Sequence, residues 1–187
     1  MSLRLFVLPE HCYTDHRVTI NIRLEEIEDQ RAVRRVNELA FGQTMEADLV
    51  DGLRTNARPH ISLVATVEER IVGHIFFSPV SIESETGSSI AMGLAPMSVL
   101  PEFQNQGIGS RLVDEGLKKC RELGHSIVVV LGHPNYYPRF GFIPAHLKGL
   151  RSEYDVPDDT FMVLELSENA LAGRRGLVRY HPEFSRF

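Results

Sequence analysis

Apolar positions along this chain follow two rhythms, and the order in which they alternate outlines a fold. Residues 1 to about 17 show no period and read as an N-terminal extension ahead of a single domain over 18–187. Thr19 to Leu24 alternates apolar and polar side chains, as a strand buried on one face does. Gln30 to Ala40 sets Val33, Val36, Leu39 and Ala40 on one helical face, with Asp29 as the expected cap and Gly42 as the stop. A second helix is expected from Met45 to about Arg54, capped by Thr44 and closed by the breaker run Asn56-Ala57-Arg58-Pro59. Ile61 to Val67 and Ile71 to Val80, joined by Glu68-Glu69-Arg70, read as a hairpin. A polar turn around Glu83 to Ser88 leads into a further strand, about Ile90 to Leu100. Links this short pair consecutive strands antiparallel.

The rhythm then changes. From Gly107 to Leu123, the residues Ile108, Leu112, Val113, Leu117, Cys120 and Leu123 share one face of a helix, and Gly124 supplies a left-handed stop. Ser126 to Leu131 is a continuous Val/Ile run, the pattern of a strand covered on both faces. A strand, a long helix and a buried strand imply a right-handed crossover to a parallel neighbour. The resulting order, β-α-α-β-β-β-α-β, describes a mixed α/β fold with a central mixed sheet flanked by helices. A short helix at Tyr136 to Phe140 and strands at Phe161 to Leu166 and Leu177 to Tyr180 complete the expectation.

Composition narrows the function classes. A chain of 187 residues is long enough to bury a substantial core. The net charge is −5 and no Lys/Arg block stands out, which argues against nucleic acid as a partner. Near the N-terminus the longest apolar stretch, Leu5 to Pro9, is too short to span a bilayer or form a signal-peptide core. The expectation is a cytoplasmic protein with no membrane partner. Two cysteines, Cys12 and Cys120, make neither a disulfide framework nor a zinc cluster. Cys120, on an apolar helix face, reads as a reduced core thiol, and no metal is expected.

The chemistry concentrates in Gln104-Asn105-Gln106-Gly107-Ile108-Gly109-Ser110-Arg111, between a strand and the start of the long helix. A helix start leaves several amide N–H groups without carbonyl partners, and the dipole adds partial positive charge. Glycines there let an anion reach the backbone. Together these features suit a pyrophosphate, although a glycine loop can also merely turn the chain. No Lys-Ser/Thr pair follows the glycines, as a P-loop requires. The full Gly-x-Gly-x-x-Gly of a dinucleotide fold is absent, and three preceding antiparallel strands do not suit that fold.

Gln104-x-x-Gly107-x-Gly109 resembles the acetyl-CoA signature of the GNAT N-acetyltransferases, and Val99-Leu100-Pro101-Glu102-Phe103 is similar to what that family places before it. Tyr137-Pro138-Arg139-Phe140-Gly141-Phe142 resembles the family's Tyr-x-x-x-Gly-Phe segment. The run from Gly132 to Phe142 further resembles the YhbS-like bacterial branch. The strand order is also the GNAT order. This resemblance implies a strand pair that splays around the pantetheine arm of acetyl-CoA, with backbone groups near Val99 binding the arm. It implies that the amides from Asn105 to Ser110, those of Gln106, Gly107, Ile108 and Gly109 included, hold the pyrophosphate. Gln104 belongs to the signature, Arg111 would meet a nucleotide phosphate, and Asn135 would contact the pantetheine amides. Tyr137 would protonate the leaving thiolate, with Tyr136 the alternative if the register is off by one.

The activity so implied is direct acetyl transfer from acetyl-CoA to a primary amine of a small molecule or peptide. No activated Cys or Ser-His-Asp arrangement visible in the sequence demands a covalent enzyme intermediate. A non-catalytic acyl-CoA-binding module on the same fold is the alternative. For the base that deprotonates the amine, Glu46, Asp48, Glu83, His74 and His133 are candidates by position, and a water chain is another route. Polyamine, aminoglycoside, amino acid derivative and protein N-terminus all stay open as acceptors. Homodimerisation is common in the resembling family.

Overall fold

The structure, a computed structural model, describes residues 19–85 and 87–186. The proposed extension over 1–17, Cys12 with it, lies outside the described residues. The chain runs β1 (Ile20–Leu24), α1 (Gln30–Phe41), α2 (Met45–Asn56), β2 (Ile61–Val67), β3 (Arg70–Ser84), β4 (Gly87–Val99), α3 (Ile108–Glu122) and β5 (Ile127–Leu131). Short strands follow: β6 (Ile143–Pro144), β7 (Leu150–Ser152), β8 (Phe161–Glu165) and β9 (Gly176–Arg179). They form one mixed sheet in the order β1-β2-β3-β4-β5-β8-β6, with β9 pairing both β3 and β7. As the sequence predicts, β2 to β4 are antiparallel and α3 carries the chain across to β5, parallel to β4; β1 also pairs antiparallel with β2.

The burial pattern explains why these segments take these forms. Val128 and Val130 belong to the apolar cluster that includes Phe76, Phe77, Leu112 and Leu117, while Ile127 and Val129 belong to a second cluster with Val80, Phe161 and Val178. Both faces of β5 are therefore covered, which its unbroken Val/Ile run requires. Helix α3 sits close on β3: a Cβ on Gly116 would lie 2.4 Å from Cε2 of Phe77. Cys120, fully buried on that helix, has its thiol pushed up to about 12 by loss of solvent.

Two features depart from expectation. Asp29 does not cap α1 with its side chain. Its carboxylate instead accepts the amide of Glu26 at 2.8 Å and two guanidinium N–H groups of Arg23, one of them at 2.9 Å. Hydrogen bonding from Arg23 holds this carboxyl below its usual range. The sheet also extends further than periodicity suggests, because β3 runs to Ser84 and pairs there with Gly87. That overhang is bordered by β9, at Ser81↔Arg179, Ile82↔Val178 and Glu83↔Leu177.

One irregularity sets up everything that follows. Phe77 faces Leu94, but two residues on, Ile75 faces Met97, so β4 spends one residue more than β3 around Ala95-Pro96. Such a bulge bends its strand and ends regular pairing. Strand β4 accordingly pairs with β5 only at Met92↔Val128, Gly93↔Val129 and Leu94↔Val130. Beyond Leu94 the two parallel strands part.

Candidate active site

A cleft of about 960 Å³ opens where β4 and β5 separate. One wall is β4 from Leu94 to Val99, and the other is the chain after β5, with Leu131, Gly132, His133, Tyr136, Tyr137 and Arg139. One end is closed by Phe103, Gln104, Asn105 and Gly107 to Ser110, and Phe41, Glu46 and Leu49 approach from α1 and α2.

The bulge leaves the edge of β4 exposed to this cleft. The amide of Leu100 donates to the Val72 carbonyl at 2.8 Å, which marks 72 and 100 as a hydrogen-bonded pair across β3 and β4. Ladder alternation then turns the backbone groups of Val99, opposite Gly73, and of Met97, opposite Ile75, away from β3. They point into the space β5 has vacated. The Val99 carbonyl there accepts Nε2 of Gln104 at 3.0 Å, so the signature glutamine ties the strand end to the following loop.

That loop enters α3 through two left-handed residues, Asn105 at φ 59° and Gly107 at φ 80°. The first intrahelical bond is from the Arg111 amide to the Gly107 carbonyl, at 3.1 Å. The amides of Ile108, Gly109 and Ser110 therefore have no partner within the helix, and they lie at the cleft's end. Nothing stands within 4 Å of where a Gly107 Cβ would be. Amides without helix partners beside an open glycine position are the features that suit an anion.

Val99, Gln104, Asn105, Gly107, Ile108, Gly109, Ser110 and Tyr137 all line the cleft, as the sequence leads one to expect. Gln106, Arg111 and Asn135 do not. Nε2 of Gln106 turns back to the Glu102 carbonyl at 3.0 Å. Arg111 is exposed on the first turn of α3, and Asn135 is exposed at the turn in which the Tyr136 amide bonds to the His133 carbonyl. A cation that does reach the cleft is Arg139, whose guanidinium lies 4.6 Å from the centre of the Tyr136 ring. Its position follows from the one-turn helix at Tyr137–Phe140 and was hidden in the motif's variable positions.

The two tyrosines have different settings. Tyr137 is buried, edge-on to Phe142 at 5.7 Å, and so close to Gly132 that a Cβ there would fall 2.3 Å from its ring. Burial raises its pKa, so its hydroxyl stays protonated. Tyr136 is half-buried, and its hydroxyl reaches across to the first turn of α3 beside Gly109.

Of the proposed bases, only Glu46 and His133 line the cleft. Asp48 is held by Arg34 at 2.6 Å, and Glu83 by Arg179 at 2.7 Å at the far end of β3. His74 is fully buried. Its Nδ1 accepts Nδ2 of Asn37 at 3.2 Å, and Nε2 lies 2.9 Å from Oγ of Ser62, whose hydroxyl donates to Glu25. Arg54 then pairs with Glu25 at 2.7 Å. Sequence inspection missed this His74–Ser62–Glu25 chain, whose members lie on three segments. Desolvation, with the charge of Arg54, lowers the His74 pKa to about 3, so the ring is neutral and sealed from the cleft. Among the described residues, no His/Cys/Asp/Glu group is placed to hold a metal ion, and no helix is long and apolar enough to cross a membrane.

A splayed parallel strand pair, a partnerless helix start and a buried tyrosine lining the gap are the features that the resemblance to the GNAT family leads one to expect. The sequence model of the acetyltransferase (GNAT) domain matches residues 21–145, and the chain belongs to that family. It is 41% identical over 149 residues to the uncharacterized N-acetyltransferase YjhQ of Escherichia coli (strain K12), covering 78% of this chain and 81% of YjhQ. With the uncharacterized N-acetyltransferase YhbS of the same strain the identity is 37% over 167 residues, covering 89% and 99%. The crystal structure of Escherichia coli YhbS in complex with CoA superposes with a TM-score of 0.85 at 35% identity, over 94% of this chain and 97% of that one. A GNAT acetyltransferase from Brucella melitensis in complex with acetyl-CoA gives 0.72 at 35% identity, over 89% and 98%. The protein is thus a GNAT-family acetyltransferase.

Proposed function

We propose that this enzyme transfers the acetyl group of acetyl-CoA directly to a primary amine, with the cofactor lying along the open edge of β4. The observation that carries this reading is the run of outward backbone groups at Met97 and Val99 leading to the partnerless amides at the start of α3. A pantetheine arm, with its own amides, pairs with the first as an added strand does, and a pyrophosphate suits the second. Val99, through its free amide, and the loop Gln104, Asn105, Gly107, Ile108, Gly109 and Ser110 form the binding surface. Arg139 takes the phosphate role first assigned to Arg111. The CoA and acetyl-CoA complexes of YhbS and the Brucella protein support the same ligand here.

Acetyl-CoA supplies an acetyl group activated as a thioester. A β4 amide at the splay donates to the carbonyl oxygen as charge builds on it; one such donor is typically worth about 10²–10³ in rate. The amine attacks in its neutral form, its ammonium proton having passed to water; Tyr137, kept protonated by burial, donates its proton to the departing sulfur, and the tyrosinate regains one through water from the acetylated nitrogen.

Calorimetry with acetyl-CoA, ATP and NAD tests the binding half of the proposal. Acetyl-CoA should bind well above the other two, and equal affinity for ATP would refute it. Thiol release in the presence of an amine panel tests transfer; binding without acceptor-dependent release would identify a non-catalytic acyl-CoA module instead.

A further inference from the structure

We infer that the acceptor is a monoamine carried on an apolar body, bound between α2 and the splayed end of β4, and that polycations are excluded. This inference rests on the acetyltransferase reading above and specifies its second substrate. The cleft is electrically lopsided. The start of α3 and Arg139 make one end positive, whereas the α1–α2 end carries Glu46 as the lining carboxylate. Both oxygens of Glu46 accept Nε2 of Gln43, at 3.0 and 3.1 Å, and among the described residues no cation pairs with it.

The other acids on these helices are each engaged by an arginine. Arg34 alone engages Glu38 at 3.1 Å, Asp48 at 2.6 Å and Asp51 at 2.7 Å. A polyamine or aminoglycoside needs several unpaired carboxylates spaced along a groove. This cleft offers one, which suits a single ammonium.

Apolar side chains line the cleft as well. Phe41 and Leu131 line it while staying 41% and 38% exposed, more than core packing requires, and buried Leu49 lies between the helices. Glu46 holds the one nitrogen, and Phe41 and Leu131 contact an apolar substituent. An acceptor with its own carboxylate next to the amine meets Glu46 as a like charge.

Steady-state kinetics with 2-phenylethylamine, spermidine, kanamycin and glutamate, at saturating acetyl-CoA, test the inference. Phenylethylamine should show the highest kcat/KM, and Glu46→Gln should lower that value roughly tenfold or more, the worth of one charge-assisted contact. Calorimetric affinity for acetyl-CoA should be unchanged in Glu46→Gln, and Phe41→Ala should raise KM for phenylethylamine without affecting that affinity. Faster turnover of spermidine or kanamycin, or an unaltered Glu46→Gln, overturns the inference while leaving acetyl transfer in place. Bound acetyl-CoA with no amine of the panel consumed also overturns it. Failure to bind acetyl-CoA at all would instead sink the reading beneath it.

Discussion

The hydroxyl of Tyr136 occupies the position next to Gly109 that a side chain there would claim: a Cβ on Gly109 would lie 2.9 Å from Oη. The contact joins the two motifs, the glycine loop from before α3 and the tyrosine loop from after β5. It narrows what Gly109 is for. The residue is the second of α3 and lines the cleft, so a side chain there would meet Tyr136 at the cleft wall.

Gly109→Val should therefore weaken acetyl-CoA binding by displacing Tyr136 and crowding the amides of the first turn. The core is untouched, so thermal unfolding should shift little. Calorimetry alongside a melting curve separates the effects. Intact affinity in a folded variant would reduce Gly109 to a turn residue.

The buried histidine sets a pH dependence of stability. His74 has a folded-state pKa of about 3, below the ordinary 6.5 of the unfolded chain. Between those values the unfolded state binds a proton that the folded state does not, so stability rises with pH across that window and is lost on acidification. The slope from this group is at most about 1.4 kcal/mol per pH unit. His74→Gln, which keeps a polar side chain beside Asn37 and Ser62, should flatten the curve between pH 4 and 6. Denaturant titrations showing equal slopes in both proteins would contradict this account.

What the sequence reveals here depends on the range of the interaction. Helices α1 and α3 were legible because their period repeats over several turns, the strands β2 to β5 because apolar runs lie between short polar links or glycine stops, and the Gly107–Gly109 loop because its spacing is local. Tyr137 and the loop residues could be assigned to one cleft only through the family resemblance. The Arg34 cluster and the His74 chain depend on segments brought together by the sheet. No local pattern announces them. Strand β9 was expected, yet its place against β3 was not, since nothing in Leu177 to Tyr180 specifies a partner.

That placement rests on one close approach. A Cβ on Gly176 would sit 1.8 Å from the carbonyl oxygen of Glu83, and the residue has φ 142°, a region reserved for glycine. Gly176→Ala should push β9 off β3 and cost on the order of 1–3 kcal/mol. Acetyl-CoA affinity should survive, because the cleft lies at the other end of β3. Amide exchange reporting protected Val178 in the variant would show that the strand tolerates the side chain.

Tyr137 and Gly132 offer the sharpest test of the catalytic assignment. Tyr137→Phe keeps the ring that packs on Phe142 and removes only the hydroxyl. Turnover should fall about 10²-fold or more with little change in KM for acetyl-CoA, since a proton donor matters only as charge develops on sulfur. Tyr136→Phe is the matched control, and a larger defect there would move the role by one residue. Gly132→Ala reaches the same hydroxyl by another route: its Cβ would fall 2.3 Å from Cε2 of Tyr137, so the ring must shift. It should reproduce the turnover defect with the hydroxyl present. If both changes act through one proton transfer, the double variant Gly132→Ala/Tyr137→Phe should be little slower than either single variant. Fully additive losses in that cycle would mean that Gly132 shapes the cleft independently and that Tyr137 is not the donor it positions.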